Sequence, residues 1–302
     1  MSVDDLLALA GTRATEHASL AGFTTYRVGG AARVLVTLAT IEDLLELGPA
    51  IGASGLPLVV IGNGSNLLVA DGEHDIVALH LGEGFGGLDW DDEGETVVVR
   101  AGAALDLPVA ARRLAADGVV GFEWAVGVPG TFGGAVAMNA GGHGSDMAAS
   151  VVAVTLWREH LVEVAAADLH FGYRESALEP GDVVVDVTLH LRRGDAEAAR
   201  TALRDVVSWR RAHQPGGANA GSVFRNPPGD SAGRLIEAVG AKGLRHGSAV
   251  VSDKHANFIQ VDAGGRANDV YELAREVAER VRRATGVELA FEHRLIGFKG
   301  PR

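Results

Sequence analysis

The chain has 302 residues, 47% of them hydrophobic, with a formal net charge of −12 and no cysteine. That length supports a large core and more than one domain, and the lack of cysteine excludes disulfides, thiolate metal sites, a cysteine nucleophile and a cysteine-linked cofactor. The first residues are acidic where a signal peptide would be basic, and no apolar run reaches the ~18 residues of a membrane span, so a cytoplasmic protein without membrane insertion is expected.

Residues 33–38 predict a strand. Thr40 with Asp43 three residues later is a capping-box pattern and predicts a helix running to Ala53. Residues 56–61 predict a second strand, which runs into Gly62-Asn63-Gly64-Ser65-Asn66. That loop lacks the third glycine of a dinucleotide fingerprint, since Leu67 stands in its place, and no amphipathic helix follows. A Rossmann reading therefore fails, but a small polar loop between two strands still offers backbone N–H groups to a phosphate.

Further strands are predicted at 97–101 and 151–157, with an Ala/Arg-rich helix at 105–117. Between that helix and the later strand, seven glycines fall in residues 127–144. Glycine costs conformational entropy, and the residues between are small or apolar rather than linker-like. Backbone that must approach an extended phosphate-bearing ligand explains such a cluster.

A long alternating strand at 182–192 closes a glycine-rich domain over 1–193. A smaller domain over 194–302 follows, with the last strand free to return to the first. Its predicted elements are a helix at 196–212, a loop at 214–230, a short helix at 231–239 and a strand at 255–262. A long helix with the apolar face Val270, Leu273, Ala274, Val277 and Val281 then ends at Gly286, and a final strand spans 287–298. The fold class is α+β. Residues 1–199 hold 10 Lys and Arg against 28 Asp and Glu, whereas residues 200–302 hold 17 against 11. The basic last third suits an anionic ligand, and equally a set of solvated helix faces. Its basic residues are scattered with few aromatics, so nucleic acid is not an expected partner.

Three clusters carry possible chemistry: Phe171-Gly-Tyr173-Arg174, Asn219-Ala-Gly-Ser222-Val-Phe-Arg225-Asn226, and Phe291-Glu292-His-Arg294. Each also has a purely structural reading, as a surface arginine, a serine in a turn and a paired surface carboxylate. The 11 histidines show no metal-ligand spacing, so no metal is expected. Ser222 does not sit in a nucleophile elbow, which argues against a serine hydrolase.

Taken in order, the motifs form one series. It starts with Thr24-Thr-Tyr-Arg-Val-Gly-Gly30, Ile61-Gly-Asn-Gly-Ser-Asn-Leu-Leu68, Gly127-Val-Pro-Gly-Thr-Phe-Gly-Gly-Ala-Val-Ala-Met-Asn-Ala-Gly141 and Tyr173-Arg174. It continues with Ala220-Gly-Ser-Val-Phe-Arg-Asn-Pro227, Ala232-Gly-Arg-Leu-Ile-Glu-Ala-Val-Gly240, Val251-Ser-Asp-Lys-His-Ala-Asn-Phe258 and Phe291-Glu-His-Arg-Leu-Ile-Gly297. From Thr24 to Phe298 the chain closely resembles the UDP-N-acetylenolpyruvoylglucosamine reductases, in their shorter type without an extra tyrosine-bearing loop.

The resemblance implies a vanillyl-alcohol oxidase-type FAD-binding domain of two α+β subdomains, with a smaller α+β substrate-binding domain. It implies non-covalent FAD, NADPH as hydride donor, and reduction of UDP-N-acetylglucosamine enolpyruvate to UDP-N-acetylmuramate for peptidoglycan, by a cytoplasmic monomer. By the same resemblance Arg174, Ser222 and Glu292 are catalytic, with Arg174 and Glu292 stabilising an enolate-like intermediate and Ser222 giving it a proton. FAD contacts fall to Tyr26, Arg27, Gly29, Gly62, Asn63, Gly64, Ser65, Asn66, Gly127, Gly130, Thr131, Gly134, Asn139, Ala140 and Gly141. Substrate contacts fall to Tyr173, Arg225, Asn226 and Lys254, with Lys242 and Arg245 as further anion contacts.

The chain departs from the family's pattern at Gly142-His143, where many relatives carry tyrosine, and at Arg225, where lysine is usual. Two other readings remain open at this point: a flavin-dependent alcohol or hydroxy-acid oxidase of the same fold, and a nucleotide-binding regulatory protein without turnover.

Overall fold

The computed structural model describes residues 1–298. Two compact units divide the chain. One comprises Met1–Glu16, Arg33–Gly62 and Asp75–Arg210, and the other His17–Ala32, Asn63–His74 and the chain from Arg211 onward. A cut at 193/194 does not separate these units. The helix Ala196–His213 stays with the first as far as Arg210, and two early segments join the second.

The first unit is built on two sheets. One orders Ala14–Ser19, Ala31–Leu38, Glu73–Leu81 and Leu58–Ile61, the last two pairing in parallel. The other orders Leu161–Ala165, Val151–Trp157, Val183–Arg193, Thr96–Gly102 and Leu88–Glu93, all antiparallel, with Val119–Val120 also on Val183–Arg193. The strands expected at 33–38, 97–101, 151–157 and 182–192 are present, and the one expected at 56–61 is shortened to Leu58–Ile61.

Leu88–Glu93 is not legible as a strand. It is Leu-Asp-Trp-Asp-Asp-Glu, an edge strand with acidic side chains in solvent. The capping box forms as expected: the Asp43 N–H donates to Thr40 Oγ1 at 3.3 Å, and the Thr40 N–H to the Asp43 carboxylate at 3.0 Å. The glycine-rich segment contains a short helix, Phe132–Ala137, that was not expected. Its ring Phe132 is fully buried, stacked on Phe122.

The second unit has a three-stranded antiparallel sheet, Arg245–His246, Ala249–Val251 and Ile259–Val261. The helix Ala267–Thr285 buries the predicted face of Val270, Leu273, Ala274, Val277 and Val281 and ends at Gly286 in the left-handed conformation. The strand expected at 255–262 is only Ile259–Val261, because residues 252–258 form a turn. The Ser252 N–H donates to the Phe258 carbonyl at 2.8 Å, and the Phe258 N–H to the His255 carbonyl at 3.0 Å.

The final strand expected at 287–298 is likewise broken. Phe291 bridges Phe224 in antiparallel sense, whereas Arg294–Ile296 pairs in parallel with Leu67–Val69. The segment changes partner at Glu292 and His293, and one continuous strand cannot serve both neighbours.

Candidate active site

In the first unit, the strand Leu58–Ile61 delivers Gly62 against the glycine-rich segment. A Cβ at Gly62 would lie 2.3 Å from Thr131 Oγ1, so only glycine allows this approach. Thr131 is buried and follows Gly130, whose carbonyl accepts from the Leu107 N–H at 3.0 Å. Gly134 lies within the helix Phe132–Ala137. Gly62 and residues 127–134 contain no carboxylate, and the one bulky side chain among them, Phe132, is turned into the core. Small residues, hydroxyls and amides without competing negative charge fit a pyrophosphate-bearing cofactor such as FAD.

Other glycines of this segment serve the chain itself. A Cβ at Gly127 would meet Val206 and His143, and one at Gly141 would meet Asp146 and Ser145. The Gly127 carbonyl accepts from Arg210, and His143 stands edge-on to Trp209 with ring centroids 5.2 Å apart. His143, the departure noted in the sequence, therefore packs beside the glycine segment within this unit. Burial and the neighbouring Arg210 lower its ionisation below the ordinary histidine value.

Asn139 is buried, and its side chain is committed internally. The amide donates to Asp146 at 3.2 Å and to the Gly172 carbonyl at 2.9 Å, and accepts from the Ala148 N–H at 3.0 Å. These side-chain bonds hold the loop in place. Ala140 accepts from the Met147 N–H at 3.0 Å.

The loop held by Asn139 carries Arg174, which has φ of 62°, a conformation uncommon outside glycine. Its guanidinium donates to the Gly141 carbonyl at 2.8 Å and the Asn139 carbonyl at 3.5 Å, and lies 5.4 Å from the centre of the Tyr173 ring. Tyr173 itself is 54% exposed. A cation is therefore fixed beside the glycine-rich segment by two backbone carbonyls.

In the second unit, Gly64 has φ of 58°, and a Cβ there would lie 2.1 Å from the Phe23 carbonyl oxygen. Its own carbonyl accepts from the Thr25 N–H at 3.4 Å, so residues 63–66 pack on the 23–29 segment. Asn63 and Arg27 are exposed, while Ser65 and Gly29 are partly buried. Tyr26 is 1% exposed, inside the hydrophobic cluster of this unit, its ring edge-on to His293. The ring is thus a core group of this unit.

The segments carrying Ser222 and Glu292 are paired. The Glu292 N–H donates to the Val223 carbonyl at 2.8 Å, and the Arg225 N–H to the Ala290 carbonyl at 2.9 Å. Asn257, fully inside, imitates a neighbouring strand for Phe224, accepting from its N–H at 3.0 Å and donating to its carbonyl at 2.8 Å. Asn66 secures the other side, donating to the Glu292 carbonyl at 3.0 Å, while its own carbonyl accepts from the Arg294 N–H at 2.9 Å.

Sequence reasoning missed Asn257, Arg210 and His293. An asparagine flanked by Ala256 and Phe258 was the available signal for the first. The other two depend on contacts distant in the chain. Of the proposed substrate contacts, Asn226 accepts from the Ala232 N–H at 3.0 Å, and the Lys254 ammonium donates to the Arg211 carbonyl at 2.5 Å. Lys242 pairs with Glu237 and Arg245 with Asp262, both in the manner of solvated ion pairs.

His293 is 4% exposed, and burial lowers its pKa to about 4. Unfolded histidine titrates near 6.5, so between about pH 6.5 and 4 the unfolded chain binds the extra proton and folding weakens as pH falls. Over that window the native chain is expected to lose on the order of 3 kcal/mol more unfolding free energy than His293→Leu. Urea unfolding of both proteins across the window measures it, and parallel curves would exclude a buried neutral His293.

Among the described residues no cluster of histidines and carboxylates suits a metal, and no helix is long and apolar enough to cross a membrane. Residues 32–160 match the family described as FAD binding domain, and residues 213–296 match the family described as UDP-N-acetylenolpyruvoylglucosamine reductase, C-terminal domain. The chain is 40% identical over 278 residues to UDP-N-acetylenolpyruvoylglucosamine reductase of Rubrobacter xylanophilus, covering 91% of this chain and 92% of that one. It is 44% identical to the reductase of the same name from Anaeromyxobacter dehalogenans, covering 93% and 84%. Its structure superposes on the crystal structure of the UDP-N-acetylenolpyruvylglucosamine reductase of Thermus caldophilus with a TM-score of 0.79 at 37% identity, covering 92% of this chain and 97% of that one. The expected α+β FAD-binding fold is borne out by these matches.

Proposed function

The chain belongs to the UDP-N-acetylenolpyruvoylglucosamine reductase family, and from that premise we propose how its residues divide the work. It is an FAD-containing oxidoreductase that uses NADPH to reduce UDP-N-acetylglucosamine enolpyruvate to UDP-N-acetylmuramate, in peptidoglycan precursor synthesis. We place this reaction in the cytoplasm, carried out by a monomer without nucleic-acid or membrane partners. The observation that carries the site assignment is the pairing of the Ser222 and Glu292 segments through the Glu292 N–H and the Val223 carbonyl at 2.8 Å.

The FAD is held by the backbone and small side chains of Gly62, Asn63, Gly64, Ser65, Gly127, Gly130, Thr131, Gly134, Ala140 and Gly141, with Arg27 and Gly29. Asn66, Asn139 and Tyr26 complete the FAD contacts and are themselves braced by the hydrogen bonds and packing described above. Bound flavin supplies a two-electron carrier that passes hydride from NADPH to the vinyl carbon of the substrate.

Hydride arrival pushes negative charge toward the substrate carboxylate. A fixed cation lowers the cost of that charge, and Arg174, pinned by the Asn139 and Gly141 carbonyls, is suited to meet it without reorganising. Glu292 serves either as a protonated acid or by polarising a neighbouring donor, since a bare carboxylate would repel the growing charge. The Ser222 hydroxyl gives its proton to the α-carbon; serine is a weak acid, but an enolate carbon is a strong base. Tyr173, Arg225, Asn226 and Lys254 contact the UDP-sugar, Arg225 offering a planar fork where lysine would offer a point charge. Lys242 and Arg245 have surface partners and are weaker candidates for anion contact.

The test is stoichiometric. Purified protein with FAD is expected to consume one NADPH per enolpyruvyl UDP-sugar, to give a product heavier by two hydrogens, and to take up no oxygen. NADPH consumption that needs oxygen and ignores the UDP-sugar would replace this reading with an oxidase.

A further inference from the structure

His293 sits where the final segment changes partner, between the antiparallel bridge of Phe291 to Phe224 and the parallel pairing of Arg294–Ile296 with Leu67–Val69. In the chain it is the neighbour of Glu292. Through space its Nε2 lies 3.2 Å from the Ala220 carbonyl, two residues before Ser222. A carbonyl only accepts, so Nε2 carries the proton and the ring is the donor. The imidazole packs perpendicular to the Tyr26 ring, at 5.6 Å between centroids and 86° between planes. The backbone around it is bound on both sides by Asn66. One buried side chain thus ties the segment bearing Glu292 to the turn bearing Ser222, where a regular ladder has already ended.

We propose that His293 is a positioning residue that sets the placement of the Ser222 hydroxyl relative to Glu292. This inference rests on the functional reading above, in which those two groups serve the second half-reaction. Its neutral state below pH 6 follows from its burial, so the ring keeps both its geometry and its single donor through the working range. The groups that bear on the ring include the Tyr26 ring and the Ala220 and Gly221 backbone.

The experiment uses FAD-loaded enzyme under anaerobic stopped flow, comparing native protein, His293→Leu, which fills the space without a donor, and His293→Gln, which restores an N–H at similar reach. Flavin reduction by NADPH is followed separately from flavin reoxidation by the enolpyruvyl UDP-sugar. The leucine variant is expected to reoxidise on the order of tenfold more slowly with reduction unchanged, and the glutamine variant to recover most of the loss.

Amide hydrogen exchange in peptides spanning 219–223 and 290–293 is expected to quicken in His293→Leu and to slow again in His293→Gln, a readout independent of turnover. Unchanged reoxidation, or equal slowing of both half-reactions, overturns the proposal, as does exchange at 219–223 that does not respond. Ser222→Ala run in parallel separates the two claims. If it reoxidises as fast as native protein, the role of Ser222 falls, while the exchange data still decide whether His293 fixes the turn.

Discussion

Ser222→Ala is expected to reduce its flavin with NADPH at the native rate and then to hand the hydride on between a hundredfold and ten-thousandfold more slowly, roughly the range general-acid catalysis contributes. The asymmetry follows from where Ser222 sits. It lies in a turn fixed to Glu292 through the Glu292–Val223 hydrogen bond and to Asn257 through the Val223 N–H, and none of these bonds needs its hydroxyl. Removing the hydroxyl therefore leaves the backbone in place and takes away only the proton source. Single-turnover absorbance at the flavin band resolves the two phases. Fast reoxidation in the variant would mean that water or another group protonates the α-carbon.

Gly62→Ala is the second large effect. The new methyl would stand 2.3 Å from Thr131 Oγ1, well inside contact distance, and Thr131 is 5% exposed with its carbonyl accepting from the Ala135 N–H at 2.9 Å. The loop must shift, and such overpacking costs about 1–3 kcal/mol. Because the shifted backbone is the proposed FAD cradle, FAD affinity is expected to fall by on the order of tenfold to a hundredfold. Titration of apoprotein with FAD by flavin fluorescence quenching measures it. Thr131→Ala added to Gly62→Ala removes the clashing oxygen and is expected to restore much of the lost thermal stability. A Gly62→Ala protein that binds FAD like the native chain would remove this loop from the cofactor site.

What the sequence made legible was local. The Thr40–Asp43 box, the buried face of Val270, Leu273, Ala274, Val277 and Val281, and the Gly286 stop each depend on residues within a turn or two. What stayed hidden depends on distant partners. The chain after Gly286 is apolar enough for a strand, yet its pairing with both Phe224 and Leu67–Val69 breaks it at His293. The two early segments that join the second unit cannot be read from composition either, because the contacts that place them there span most of the chain.

At the site, the motifs brought Ser222, Glu292 and the glycine loops to notice without saying what each side chain touches. Tyr26 and Asn139 belong to motifs expected to hold FAD, and only the structure showed the first to be packed in a core and the second to brace a loop. Asn257 lay in a quoted motif with no role until its bonds to Phe224 gave it one. Residue type told which chemistry was available, and burial and hydrogen bonding decided which groups were free to perform it.

The central claim is that one flavin, held by the glycine loops, links NADPH to the enolpyruvyl UDP-sugar. Anaerobic spectroscopy of the purified holoprotein tests it most directly. NADPH is expected to bleach the bound flavin, and one equivalent of enolpyruvyl UDP-sugar, added without oxygen, to restore the oxidised spectrum. A colourless protein that takes up no FAD, or a bleached flavin that stays bleached until air is admitted, would contradict the account.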